Sequence, residues 1–315
     1  MARKVIIDCN PGIDEAVALC LALFAPELDV VGITATSGNI PSEHASRNVQ
    51  AILEALDPPR IPRIGVAGAA QNDSGFRNFR FQGMDGLGNS NLPVSELHRQ
   101  HPSEKIICDE VHNAPDEVMI LTLGPLTNIA RAFQLDPELS MAIHSLYITG
   151  GSVNLGGNIT ACSEFNIFCD PDAAHQIFRI PLTKYLLPLD VTESLTFDYS
   201  FLTDLPKEGS SVGSLLHKIL PYLYKTFRQE LGQESVYLNA TIATMALLEP
   251  ELFTTKEMVA EVETAGEITQ GATIFDRRHN RISLPNIEVA TEVKAEKIIE
   301  SIHNRLVEAT KHVTG

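Results

Sequence analysis

Short apolar runs alternate with stretches of helical spacing along the first half of the chain. Residues 5–9 (VIIDC) predict a buried strand, 13–24 a helix, and 28–36 (LDVVGITAT) a second strand. Helical spacing returns at 43–56, and RIGVAG (63–68) is a further short strand. EVMILTLG (117–124) predicts a strand, 126–133 a helix, and LYITGG (146–151) the next strand. This rhythm is that of βαβ units, so the expected fold is α/β, an open and mostly parallel sheet flanked by helices. In the second half, 185–192 (YLLPLDVT) predicts a strand, and helical patterns follow at 213–231, 241–248 and 292–306. Between 71 and 101 lies a polar, Gly- and Asn-rich stretch expected to be a long loop. Long loops inside compact domains often carry function. With no internal repeat and no linker-like segment, residues 1–315 are expected to form one domain.

An open parallel sheet binds its ligand beyond the carboxyl ends of its strands. The segments that follow predicted strands are DCNPGIDE, TATSGN, LGPLTN, GGSVNLGGN and DVTESL. All are rich in Asp, Asn, Gly or Thr, which suits recognition of a polar ligand. The formal charge of −16, from 24 basic and 40 acidic residues, argues against nucleic-acid or anionic-membrane partners. No apolar run reaches the roughly 20 residues that span a bilayer. The start MARKVIID lacks the parts of a secretory signal. Cys9, Cys20, Cys108, Cys162 and Cys169 form no CxxC pair and are odd in number, so a reducing cytoplasm is expected.

In DCNPGIDE, Pro11 and Gly12 force a tight turn that can bring Asp8, Asn10, Asp14 and Glu15 into one small volume. Clustered acids need a cation or hydrogen-bond donors. Plain helix capping is the alternative, because acids favour a helix N-terminus. An aspartyl-phosphatase start would need a second Asp where Asn10 stands, and Pro-Gly follows at once, so it is set aside. The last segment of note, GATIFDRRHN (271–280), is expected to be a turn-rich surface element without chemistry.

DCNPGIDEAVAL resembles the D-x-D-P-G-x-D-D-A motif of the inosine–uridine preferring nucleoside hydrolase family. In order along the chain follow TSGN (36–39), LGPLTNIA (123–130), GGSVNLGGNIT with CSEFNIFCDPDAA (150–174), PLDVT (188–192) and LLEPELFTT (247–255). The resemblance spans roughly positions 3 to 290. It implies hydrolysis of the N-glycosidic bond of ribonucleosides, with a bound Ca²⁺ that grips the ribose hydroxyls and a water. The reacting sugar is expected to pass through an oxocarbenium-like state. It also implies a small-molecule nucleoside or ribosyl ligand and assembly as a homodimer or homotetramer.

Transferred residue by residue, the resemblance divides the site. Asp14 and Asn39 match ribose-contacting positions, and Asn158, Glu164 and Asn166 match those gripping the 5′- and 3′-hydroxyls. Asn10 stands where the family has an Asp that is both calcium ligand and base, and Asn cannot take a proton in that way. Glu15 replaces an Asp ligand, and Leu123 would supply a backbone oxygen. Counting back from EPELF places Asn239 at the family His and Ala240 at the last acidic ligand; a one-residue slip would put Asn239 at the ligand instead. Gln82 stands where a His usually serves the leaving base, and it cannot act as a general acid near neutral pH. None of the ten histidines falls at a family active-site position. Cys9 and Cys162 lack a nearby His and are read as packing residues. The expectation is therefore a ribosyl-binding protein whose calcium is weakened or absent and whose hydrolysis is weak or lost. A catalytically silent binding or regulatory protein, and an enzyme of changed, calcium-independent chemistry, stay open beside it.

Overall fold

The computed structural model describes residues 2–68, 79–95 and 101–311. Ten strands form a sheet: β1 (Arg3–Cys9), β2 (Leu28–Ala35), β3 (Arg63–Val66), β4 (His101–Pro102), β5 (Val118–Thr122), β6 (Ser145–Thr149), β7 (Lys184–Leu187), β8 (Phe253–Val262), β9 (Thr273–Asp276) and β10 (Ile287–Val293). Their order is β4-β3-β2-β1-β5-β6-β7-β10-β8-β9. Pairing is parallel from β4 through β7 to β10, and antiparallel at β10–β8 and β8–β9. The fold is thus the expected mostly parallel α/β sheet flanked by helices.

Strand periodicity divides the core. Val5, Ile7 and Cys9 of β1 pack into one apolar layer, with the helices Ile13–Leu23 and Asn239–Leu248. Ile6 points to the opposite layer, with residues of Ser103–Asn113, Thr127–Leu135 and Pro171–Arg179. A strand covered on both faces is apolar at nearly every position, and β1 reads that way. Cys9 and Cys20 belong to the first layer, where burial pushes both thiols well up.

Four regions differ from the expectations. The predicted strand 185–192 stops at Leu187, because Pro188 has no N–H for the ladder. Residues Leu189–Thr192 then form a helical turn. In the predicted helix 292–306, the start belongs to β10, whose alternating IEVATEV pairs with β7 and β8, and the helix is Ala295–Ala309. GATIFDRRHN holds the edge strand β9 as well as a turn. Of the predicted loop 71–101, residues 71–78 and 96–100 lie outside the described residues, and Phe79–Gln82 form a short helix. Among the described residues no helix is long and apolar enough to cross a membrane.

Candidate functional site

Beyond the carboxyl ends of β1, β2, β5, β6 and β7 the following loops enclose a cavity of about 390 Å³. Its lining includes Asp14, Glu15, Asn39, Gln82, the Leu123 segment, Asn158, Glu164, Asn166, Asn239 and Ala240. These residues come from six segments of the chain. A larger open hollow, lined by Arg3, Lys4, Asp29 and Arg60, lies at the opposite end of β1 and gathers none of them.

Asn10 is not among the lining residues. Its side chain is buried beneath the pocket and clips the turn after β2. The Nδ2 group donates to Thr36 O (2.7 Å) and Ile40 O (2.8 Å), while Oδ1 accepts from Ile40 N–H (2.8 Å). Those contacts use both amide hydrogens and the carbonyl.

Asp14 and Glu15 open the helix Ile13–Leu23, and each carboxylate already holds backbone donors. Asp14 accepts from Ala240 N–H (2.7 Å), Thr241 N–H (3.0 Å) and Thr241 Oγ1 (2.7 Å), so it caps the helix Asn239–Leu248. Glu15 Oε2 accepts from Gly12 N–H at 3.0 Å. Burial pushes both carboxyls above the ordinary range, and Asp14's charge pushes Glu15 further. Gln82 Oε1 accepts from Ile13 N–H at 2.8 Å, which ties the short helix Phe79–Gln82 to this turn. A Cβ on Gly12 would sit 2.6 Å from that oxygen, so a larger residue there would displace the Gln82 amide.

The opposite wall follows β6. Glu164 caps the turn Phe165–Cys169, its Oε2 accepting from Gly151 N–H (3.0 Å) and Ile167 N–H (3.1 Å). It is 5% exposed, and burial outweighs those donors, so its pKa rises to about 7. Asn166 Nδ2 donates to Thr149 O (3.0 Å) and Leu123 O (3.2 Å), joining the ends of β5 and β6. Asn158 Oδ1 accepts from Phe165 N–H at 2.9 Å. Asn39 Oδ1 and Asn239 Oδ1 are buried with no protein donor. An unmet buried acceptor is costly, so these two oxygens mark where a ligand's donors would be most favourable.

Sequence reasoning missed several lining residues. Glu193 follows PLDVT directly and lines the cavity with Asn158 and Asn239; burial pushes its carboxyl up, and the two amides pull it back. Its place just past a strand-end motif was the available signal. Phe81, Phe227 and Tyr237 form an aromatic side of the pocket, with ring centroids 5.3 and 6.3 Å apart in successive edge contacts. They lie outside every motif, so nothing local singled them out.

Comparison with known proteins gives a consistent result. Residues 5–300 match the family described as "Inosine-uridine preferring nucleoside hydrolase". An Arabidopsis thaliana protein named "Probable uridine nucleosidase 2" is 34% identical, covering 98% of each chain. A pyrimidine-specific ribonucleoside hydrolase of Salmonella choleraesuis is 32% identical over 97% of this chain and 99% of its own. The solved purine-preferring ribonucleoside hydrolase from Gardnerella vaginalis superposes with a TM-score of 0.91 at 26% identity, covering 99% of this chain and 100% of that one. The profile match over nearly the whole chain and the matching fold settle its membership: this chain belongs to the inosine–uridine preferring nucleoside hydrolase family.

Proposed function

We propose that the protein binds a ribonucleoside or related ribosyl ligand in this pocket, and that hydrolysis of its N-glycosidic bond is weak or lost. One observation supports the reading: Asn39, Asn158, Glu164 and Asn166 converge on the cavity, while among the positions that would hold calcium Asn10 lies outside its lining and Ala240 has no side-chain oxygen. Asn39, Asn158, Glu164 and Asn166 surround the space with polar atoms. The relatives' names differ in base, uridine or pyrimidine against purine, and agree on a ribonucleoside. The ribosyl unit is therefore the part of the ligand that the comparison supports.

Calcium takes six to eight oxygens, and its affinity rises with the number of anionic ligands. In this chain Asn10 gives both amide hydrogens to the backbone of 36–40 and takes the Ile40 N–H on its oxygen, and Ala240 has no side-chain oxygen. The Leu123 carbonyl is shared with Asn166, and Glu15 is tied to Gly12. This donor set does not fit the calcium of the family, which acidifies a water where it is held. The chain's own groups would orient the ribose and exclude water, but none stands where the family takes the proton.

The test is free-ribose release from inosine and uridine with calcium present, beside calorimetric titration of the same nucleosides. We expect binding with turnover close to background. Turnover comparable to that of an ordinary family member, or failure to bind either nucleoside, overturns the reading.

A further inference from the structure

Sheet register sets a row of side chains on one face. Tyr147 of β6 lies beside Tyr185 of β7, Tyr185 beside Glu288 of β10, and Glu288 beside Glu257 of β8. Register partners share a face and stand about 5 Å apart at Cβ. The two tyrosine rings stack with centroids 4.7 Å apart and an interplanar angle of 23°. Like charges directly opposite disfavour a sheet, yet among the described residues neither Glu288 nor Glu257 forms an ion pair. Glu288 Oε1 accepts only from the Thr255 hydroxyl among the described residues.

Tyr147, Tyr185, Phe253 and Glu288 wall a cavity of about 300 Å³, with Ala246 of the helix Asn239–Leu248 and Pro250 just past its end. Among the described lining residues this cavity shares Leu187 alone with the nucleoside cavity. Tyr147 is 7% exposed, and no described protein group hydrogen-bonds its hydroxyl. A buried tyrosine hydroxyl ordinarily has a partner, so this one is left for a ligand. Burial, reinforced by Tyr185, pushes the phenol up to about 12, and it stays a neutral group that can accept or donate. No Lys, Arg or His is among the described lining residues. Arg3 acts electrostatically on Tyr147 but lines the larger hollow at the end of β1, not this cavity.

We propose that this cavity is a second binding site, separate from the nucleoside cavity, for a small protonated primary amine on a short alkyl body. The ammonium brings three donors, which the Glu288 carboxylate and the Tyr147 hydroxyl can accept, and charge-assisted bonds are about twice as strong as neutral ones. Aromatic rings attract a cation held within about 6 Å of their centroids. The positive charge also offsets the repulsion between Glu288 and Glu257. Ala246, Pro250 and the Phe253 ring supply the apolar contact for the methylenes. A bare ammonium ion forgoes that contact, and a neutral alcohol of the same length forgoes the charge.

The experiment is calorimetric titration of the full chain near neutral pH with n-butylammonium, ammonium chloride and n-butanol, repeated with Glu288→Gln and Tyr147→Phe. The wild type is expected to bind n-butylammonium saturably and about tenfold or more tightly than either of the other two. Glu288→Gln should bring amine and alcohol to within about twofold, and Tyr147→Phe, which keeps the ring, should weaken the amine about three- to tenfold. Uridine added beforehand should leave the amine isotherm unchanged. Equal binding of n-butylammonium and ammonium chloride would mean only the attraction of an acidic chain for any cation, and overturns the proposal. No saturable amine binding overturns it as well. So does an undiminished amine preference in a Glu288→Gln chain that melts with the wild type. Displacement of the amine by uridine would put it in the nucleoside cavity, which overturns the second site and leaves ribosyl binding intact.

Discussion

The asparagines around the cavity and the acidic turn beneath it face the same volume, yet their polar atoms are disposed differently. Asn166 gives its amide hydrogens to two strand-end carbonyls, and no described protein donor meets its Oδ1. Asn39 and Asn239 each hold a buried carbonyl oxygen without a protein donor. In the turn, Asn10 gives both amide hydrogens to the backbone of 36–40 and takes one N–H from it, and both Asp14 oxygens cap the helix Asn239–Leu248. Position within a motif thus does not by itself make a ligand. A side chain keeps binding capacity only where the scaffold consumes part of it, and the turn has turned its capacity inward as structure.

The most demanding way to break this contrast is to restore capacity to the turn. Combining Asn10→Asp, Glu15→Asp and Ala240→Asp restores an Asp at each side-chain position that the family resemblance assigns to the metal. With calcium present, ribose release from inosine and uridine should rise by about 10²- to 10⁴-fold, the range that a positioned base contributes. An unchanged rate in a folded triple variant that takes up calcium would place the defect outside the turn.

The sheet, most helices and the strand-end location of the site were legible in the sequence, because a doubly covered parallel strand is an apolar run and its end is a polar turn. The antiparallel pair β8–β9 and strand β10 were not. Their positions alternate between layer-facing Val259 or Val289 and solvent, a weaker pattern, and the start of β10's tail merged with the helix that follows. Motif alignment singled out Asp14, Asn39, Asn158, Glu164 and Asn166, which line one cavity. It could not tell that Asn10 would bind the backbone of another strand end, since that depends on the Thr36 and Ile40 carbonyls. Glu193 and the Phe81, Phe227 and Tyr237 side are likewise products of tertiary convergence.

A smaller effect isolates Asn10. As Asp, it keeps the oxygen that meets Ile40 N–H, but it sets a carboxylate against the Thr36 and Ile40 carbonyls, where the amide now donates. Two buried hydrogen bonds are lost, so Asn10→Asp alone should destabilise the metal-free chain by about 2–5 kcal/mol. Denaturant unfolding measures this, and added calcium should return part of the loss if the new carboxylate reaches a cation. A variant as stable as wild type in chelator would mean that Asn10 is not the clip described here.

The least disruptive test addresses the wall that carries Asn158. Asp190 accepts from Val153 N–H (2.7 Å), Asn154 N–H (2.7 Å) and Ser152 Oγ (3.2 Å), and so fixes the start of the loop that runs on to Asn158 and Glu164. Thr273 also holds Ser152, through its N–H at 2.9 Å and its carbonyl at 2.8 Å, so the loop retains one anchor when Asp190 is removed. Asp190→Ala should therefore weaken nucleoside binding by about three- to tenfold, equivalent to about 1 kcal/mol, as expected for lost hydrogen bonds at a partly exposed site. Residual ribose release should fall through weaker binding, with the bound-state rate nearly unchanged, because Asp190 contacts the loop and not the cavity. Binding unaltered in Asp190→Ala would show that Thr273 alone fixes the wall. A loss of a hundredfold or more would show that the wall is as dependent on its scaffold as the turn is, and the contrast between the two would disappear.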